Sequence, residues 1–297
     1  MEHDELLKTH NFIVTTKGLE LKDKSIQPTG VGDTAQFDGL NPGAGGGGSL
    51  SLLALNRNRN RNRNRNRNRN RNRNRNRSFM DAVSTGGILE PWEERDALHQ
   101  RRSEWVALPL TPPPTLQTLR RQCVDLLEKQ YLLQQPDQEM RRAEIDRESQ
   151  LELSGYLRPL GIENTGGYGA TEALFHVILA LTDEIGLRYK DRFNVLRPNQ
   201  IEPRLRPVLP FPGHASFPSN HSYQSFSIAF LFSRMLPEHP ASSELFQSAR
   251  RIAENREWAG VHYAADTQAG YELARMTAPV LEKVCETKMY EALSEWI

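Results

Sequence analysis

The chain of 297 residues is poor in cysteine and has no long apolar run. Its two thiols, Cys123 and Cys285, allow at most one disulfide and show no metal-site spacing, so a disulfide scaffold and a thiolate metal centre are excluded. Two buried free thiols are the expectation. A membrane-spanning helix needs about 20 consecutive apolar residues. The best run, Ala173–Leu181, contains His176 and stops at Thr182-Asp183-Glu184, so no spanning helix is expected. The opening MEHDELLKTH carries three acidic groups and no apolar centre, unlike a secretory signal. As written, the chain reads as cytoplasmic; a periplasmic location stays open if the N-terminus is misassigned. Sustained period-two alternation is also missing, so strands should be few and the fold all-α.

An excess of either charge is missing as well, with 38 Lys+Arg against 37 Asp+Glu. That balance hides a segregation. Asn56–Arg77 is eleven consecutive Asn-Arg pairs, and without those arginines 27 basic residues face 37 acidic ones, a formal −10. An acidic body carrying one cationic ribbon is not a generally basic nucleic-acid binder. The ribbon has no hydrophobic period and repels itself, so it should be extended. Its guanidinium groups suit salt-dependent phosphate-backbone contact, but it has no aromatic residue for base stacking, so sequence-selective RNA binding is not expected. The plain alternative is a translated repeat without a role, and Met80 is a plausible alternative start. Upstream, residues 29–48 hold eight of the twenty glycines. Ordering such a segment costs more than its few apolar side chains return, and residues 1–84 are expected to be disordered.

Residues 85–297 have the composition of a globular domain. After Pro112-Pro113-Pro114, the residues Leu116, Leu119, Cys123, Leu126, Leu127 and Tyr131 form one helical stripe ending near Pro136. Asp137 is placed to cap a second helix running to about Tyr156. A loop over Gly161–Gly169 precedes an apolar helix, Thr171–Tyr189, expected at the bundle centre with His176 in the core. A proline-rich connector leads to three closing helices, Ser222–Leu236, Ala241–Trp258 and about Tyr263–Val284.

Three clusters carry chemistry. Lys190 and Arg197 stand at a helix end. Pro218-Ser219-Asn220-His221 opens an apolar helix, where free backbone N–H groups and the helix dipole favour an anion, although Ser219 or Asn220 could simply be an N-cap. Arg256, His262 and Asp266 span the break between two helices. His262 and Asp266 are four apart, neighbours on one face if the helix has begun there, and a carboxylate on one imidazole nitrogen leaves the other as a nucleophile or ligand.

Taken in order, K-x6-R-P, P-S-x-H and R-x5-H-x3-D resemble the signature of the type 2 phosphatidic acid phosphatase and vanadium haloperoxidase superfamily, over about residues 170–285. The segment His214–His221 is similar to it too, with His214 as either pocket wall or loop hydrogen-bonding group. The resemblance implies a helical bundle with an oxyanion pocket between helix ends. It implies that Lys190, Arg197 and Arg256 neutralise phosphate oxygens, with Ser219 and the Asn220 backbone N–H completing the cradle. His262 would be the phosphorus nucleophile, Asp266 its orienting partner, and His221 the acid that protonates the leaving alkoxide. Cationic side chains then do the neutralising, so no metal is implied. Asn220 stands where glycine is usual, a position where a positive φ would favour it, and its amide could narrow the pocket. Asn255 stands where serine often precedes the arginine. Phe211 and Phe217 are expected near the substrate entrance, and Trp258 in packing.

The leading expectation is a soluble, metal-independent phosphomonoesterase acting on small phosphate esters through a phosphohistidine. The first alternative is a vanadate-dependent haloperoxidase with His262 as the vanadate ligand. The second is a non-catalytic binding protein using the Asn-Arg tract. Oligomeric state is not legible.

Overall fold

The computed structural model describes residues 12–15, 18–21, 91–149, 153–210 and 212–297. It divides into two compact units, Met1–Arg61 and Asn62–Ile297. In the first unit, β1 (Phe12–Thr15) and β2 (Gly18–Leu21) pair antiparallel, with Phe12 opposite Leu21 and Thr15 opposite Gly18. These two strands are the described part of residues 1–84, and their backbone is extended. The β-branched run Ile13-Val14-Thr15 favours extended backbone and is the local reason. The Asn-Arg tract and the expected boundary at 84/85 lie outside the described residues.

The described residues of the second unit are helical. In chain order they form α1 (Trp92–Gln100), α2 (Arg102–Trp105), α3 (Leu116–Leu132), α4 (Glu139–Glu148), α5 (Ser154–Leu157) and α6 (Gly169–Phe193). Then come α7 (Pro198–Ile201), α8 (Asn220–Met235), α9 (Ala241–Trp258), α10 (Ala264–Val284) and α11 (Glu286–Leu293). Among the described residues no helix is long and apolar enough to cross a membrane.

The centre of the unit is α8, which packs against α6, α9 and α10. Its Ile228, Ala229, Leu231 and Phe232 are fully buried. The expectation that α6 holds the centre is thus corrected: α6 packs on one side of α8 and also carries α11. His176 is corrected with it. Leu174, Phe175, Val177 and Ile178 of α6 turn inward and leave His176 exposed. The approach of α10 to α8 depends on Gly270, where a Cβ would lie 2.6 Å from the Ser219 carbonyl oxygen and 2.7 Å from Ser222 Cβ.

Helix α3 starts after the three prolines, with Thr115 Oγ1 accepting from the Thr118 amide. Its buried stripe is narrower than expected. Leu119, Cys123 and Leu126 are buried, whereas Leu116 and Tyr131 are 50% and 65% exposed. The single helix expected from Asp137 to Tyr156 is replaced by a 3-10 turn at Pro136–Gln138, then α4, then α5. Helix α4 is polar, and Ile145 is its buried residue. Tyr156 and Leu157 must instead enter the core, where Tyr156 meets Phe175 edge-on at 6.3 Å and bonds Ser225 Oγ at 3.1 Å. One straight helix cannot serve both ends. Cys123 and Cys285 are buried and free.

Candidate active site

The end of α9 sets the geometry. Gly260 has φ +74°, a left-handed conformation that costs glycine nothing. Its amide bonds the Glu257 carbonyl at 2.8 Å and the Val261 amide bonds the Arg256 carbonyl at 3.2 Å, the two bonds of a Schellman terminus. The chain therefore reverses at Gly260, just beyond the end of α9 at Trp258, and His262 follows in the connection to α10. His262 lies before α10 and not on it. Its bond to Asp266 forms because Asp266, in the first turn of α10, folds back over the helix start. Asp266 Oδ2 accepts from His262 Nδ1 at 2.9 Å and from the Tyr263 amide at 3.1 Å. One carboxylate oxygen thus caps a helix and orients an imidazole.

Ser216 completes this arrangement and was not singled out from sequence. It is fully buried, its hydroxyl donates to Asp266 Oδ2, and its Oγ lies 3.4 Å from His262 Nδ1. A serine three residues before Ser219 in a short loop was the available signal. Asp266 is fully buried, and burial pushes its carboxyl up to about 6; the Ser216 hydroxyl is foremost among the groups pulling it back, followed by Lys190. His262 is held well below its ordinary value by burial first, then by the charges of Lys190, Arg197, His221 and His214. It stays neutral. With Nδ1–H committed to the carboxylate, Nε2 carries the lone pair.

Lys190, on the last turn of α6, is buried, and its ammonium donates to the carbonyls of Ala215, Ser216 and Pro218 at 3.1, 2.7 and 2.6 Å. All three of its hydrogens hold the loop that carries Ser219, so its charge reaches the pocket as a field. Burial, then the neighbouring Arg197, keeps its pKa well below the usual lysine value. Asn194, at φ +47°, ends α6 and turns the chain toward Arg197. Arg197 is buried. It bonds the His214 carbonyl through Nε at 3.1 Å, the Val261 carbonyl at 2.7 Å and His214 Nδ1 at 3.2 Å. His214 is therefore a hydrogen-bonding partner of Arg197. Burial lowers the guanidinium to about 10.

Ser219 is the N-cap of α8, its Oγ accepting from the Ser222 amide at 3.4 Å, and its own amide bonds the Asp266 carbonyl at 2.9 Å. This bond ties the starts of α8 and α10 together. Asn220 departs from expectation twice. It is the first helical residue of α8, not a positive-φ residue, and its side chain turns to α6, where Nδ2 donates to Asp183 Oδ1 at 3.0 Å. The amide sits where a side chain on Gly186 would be: a Cβ there would lie 2.3 Å from Asn220 Oδ1. It does not narrow the pocket. His221 lines a cavity of about 370 Å³ together with Glu148, Tyr156, Leu179, Gln224 and Ile252.

Arg256 is 1% exposed and bonds the Ile145 carbonyl at 3.2 Å and Glu148 Oε2 at 2.5 Å. Asn255, in the usual serine's place, is fully buried and faces α4: its amide donates to Glu148 Oε1 at 2.7 Å and Glu144 Oε2 at 3.2 Å, and its oxygen accepts from Arg141 at 3.0 Å. Phe217 is buried edge-on to Phe193 at 5.1 Å, so it belongs to the core and not to the entrance. Phe211 lies outside the described residues. Trp258 packs beneath Arg141, whose guanidinium carbon is 4.3 Å from the ring centre. Among the described residues no group of three or more His, Cys, Asp or Glu side chains is placed to hold a metal ion.

The arrangement pairs His262 with Asp266 in the protein interior, where Lys190, Arg197, Ser216 and Ser219 are also buried, while His221 lines a separate cavity with Glu148. Residues 169–289 match the family model of the PAP2 superfamily. Comparison with curated proteins finds no match. Among solved structures, the chain is similar to a transmembrane PAP2-type phosphatidylglycerolphosphate phosphatase from Bacillus subtilis. The identity is 16% and the TM-score 0.42, over 66% of this chain and 97% of that one.

Proposed function

We propose that the protein is a phosphomonoesterase that works through a phosphohistidine. The observation that carries this reading is the Ser216–Asp266–His262 chain, which fixes a neutral imidazole with its Nε2 lone pair available among buried cations. His262 Nε2 attacks phosphorus, the N–P bond forms as the ester P–O bond breaks, and the imidazole becomes cationic beside the Asp266 carboxylate. His221 gives its proton to the departing alkoxide. It then takes a proton from water, whose oxygen attacks phosphorus, breaks the N–P bond and releases inorganic phosphate. Charge on the equatorial oxygens is met by Arg197 and Arg256, by the amides at the start of α8, and by the field of Lys190. Small soluble phosphate esters are the proposed substrates.

Phosphate release from p-nitrophenyl phosphate between pH 4 and 8, with EDTA present, tests this. Turnover that orthovanadate inhibits and that His262→Ala abolishes is expected. Turnover that survives His262→Ala would refute the mechanism. Halide- and peroxide-dependent bromination after vanadate loading, without ester hydrolysis, would assign the same pocket to haloperoxidase chemistry.

A further inference from the structure

Glu148 is a nearly buried carboxylate for which the mechanism above has no use. Its side chain is 12% exposed, and it sits on α4, before the family-matched segment 169–289. Both of its oxygens are engaged by consecutive residues of α9: Oε2 by the Arg256 guanidinium and Oε1 by the Asn255 amide. The Asn255 amide nitrogen also reaches Glu144, one helical turn earlier on α4, and Glu144 in turn binds Arg251 Nε at 2.8 Å. The last two turns of α9 are thus clamped against α4 by a network of charges, while α4 contributes one buried apolar residue. Apolar packing does not explain so much buried polarity.

Arg256 shows what the clamp achieves. One terminal nitrogen takes both the Glu148 carboxylate and the Ile145 carbonyl, and Nε is buried without a hydrogen-bond partner. An orphaned N–H on a buried guanidinium is costly unless a ligand supplies its acceptor. Holding the guanidinium through one terminal nitrogen orients it and leaves Nε outside the protein's own hydrogen bonds. Glu148 also lines the same cavity as His221, the proposed leaving-group acid.

We propose that Glu148 is a positioning residue for Arg256, held in place by Asn255. The asparagine that replaces the usual serine serves this clamp, and α4 is thereby a working part of the site. The proposal rests on the phosphatase reading for its kinetic test but not for its binding test.

The test compares wild type, Glu148→Gln, Glu148→Ala, Arg256→Ala and the Glu148→Ala/Arg256→Ala double variant. Two quantities are measured: kcat/KM for p-nitrophenyl phosphate, and orthovanadate affinity by titration calorimetry. Truncating one partner of a buried charge pair is expected to lower kcat/KM by ~10-fold or more, and vanadate affinity by a similar factor. The double variant should be no worse than Arg256→Ala alone, because Glu148 acts through that arginine. A Glu148→Ala loss that multiplies with the Arg256→Ala loss would overturn the proposal, as would wild-type vanadate affinity in both Glu148 variants. If Glu148→Ala fails to fold, Glu148→Gln, which keeps the shape and one acceptor, decides by the same affinity criterion. If wild type shows no turnover, the phosphatase reading fails and the vanadate titration still decides on Glu148.

Discussion

Replacing Ser216 by alanine removes one hydroxyl from the interior and leaves the backbone that Lys190 grips in place. The hydroxyl donates to Asp266 Oδ2 and touches His262 Nδ1, and no part of Ser216 reaches solvent. A hydrogen bond to a buried charged group contributes about 1.5–3 kcal/mol. If it is felt in the transition state, where His262 becomes cationic and needs an ionised Asp266, the loss in kcat is about 10- to 100-fold at 1.36 kcal/mol per decade. KM should change little, since the oxyanion donors are untouched. The pH profile gives a sharper reading. Ser216 is the foremost group lowering an Asp266 carboxyl that burial has raised to about 6. Without it the carboxyl rises further. The acid limb of kcat, which requires ionised Asp266, should therefore move to higher pH by about one unit, equivalent to about 1.4 kcal/mol. A stopped p-nitrophenol assay over pH 4–8 measures both effects. A Ser216→Ala enzyme with kcat within about twofold of wild type and an unmoved acid limb would refute the assignment, given the bond energy expected.

Asp266→Asn should abolish most turnover yet improve relative stability in alkali. A carboxyl raised from 3.8 to about 6 favours the fold below pH ~4, and that contribution is lost as pH rises through ~6. The gain in Tm of the variant over wild type should therefore grow between pH 4 and pH 8 by differential scanning fluorimetry; a constant difference would contradict the buried-charge account. His262, shifted the opposite way, loses its contribution as pH falls, so the comparison must be made between these two proteins at each pH. Gly186→Ala drives a methyl into Asn220 Oδ1, and overpacking of this kind costs about 1–3 kcal/mol. The Gly186→Ala/Asn220→Gly double variant should recover part of that loss in urea melts, because the two positions share one volume. Gly270→Ala has no such escape, since its new methyl meets the Ser219 carbonyl and Ser222. It should prise α10 from the start of α8, lowering both the urea midpoint and kcat/KM, and an active, unaltered variant would contradict the packing.

The helices that build the site were legible because their signals are local. Apolar period and N-terminal signals marked α8, α9 and α10 to within one or two residues, and the three polar clusters stand in chain order at the end of α6, the start of α8 and the break between α9 and α10. Where a signal needed a partner from elsewhere, the reading stopped or erred. Nothing around Ser216 says that Asp266, fifty residues on, lies within reach. Asn220 looked like a strained glycine replacement; only its neighbour Gly186 shows that the exchange is one of volume between two helices. Glu148 is one of several charges on α4, and only folding lays it on Arg256. Residue type, helical period and caps are properties of neighbouring residues, so the chain alone marked where α8, α9 and α10 begin and nominated candidate phosphate-binding residues. Which carboxylate meets which cation, and which nitrogen is left with a lone pair, depends on how helices distant in sequence pack, and only the tertiary structure decided that.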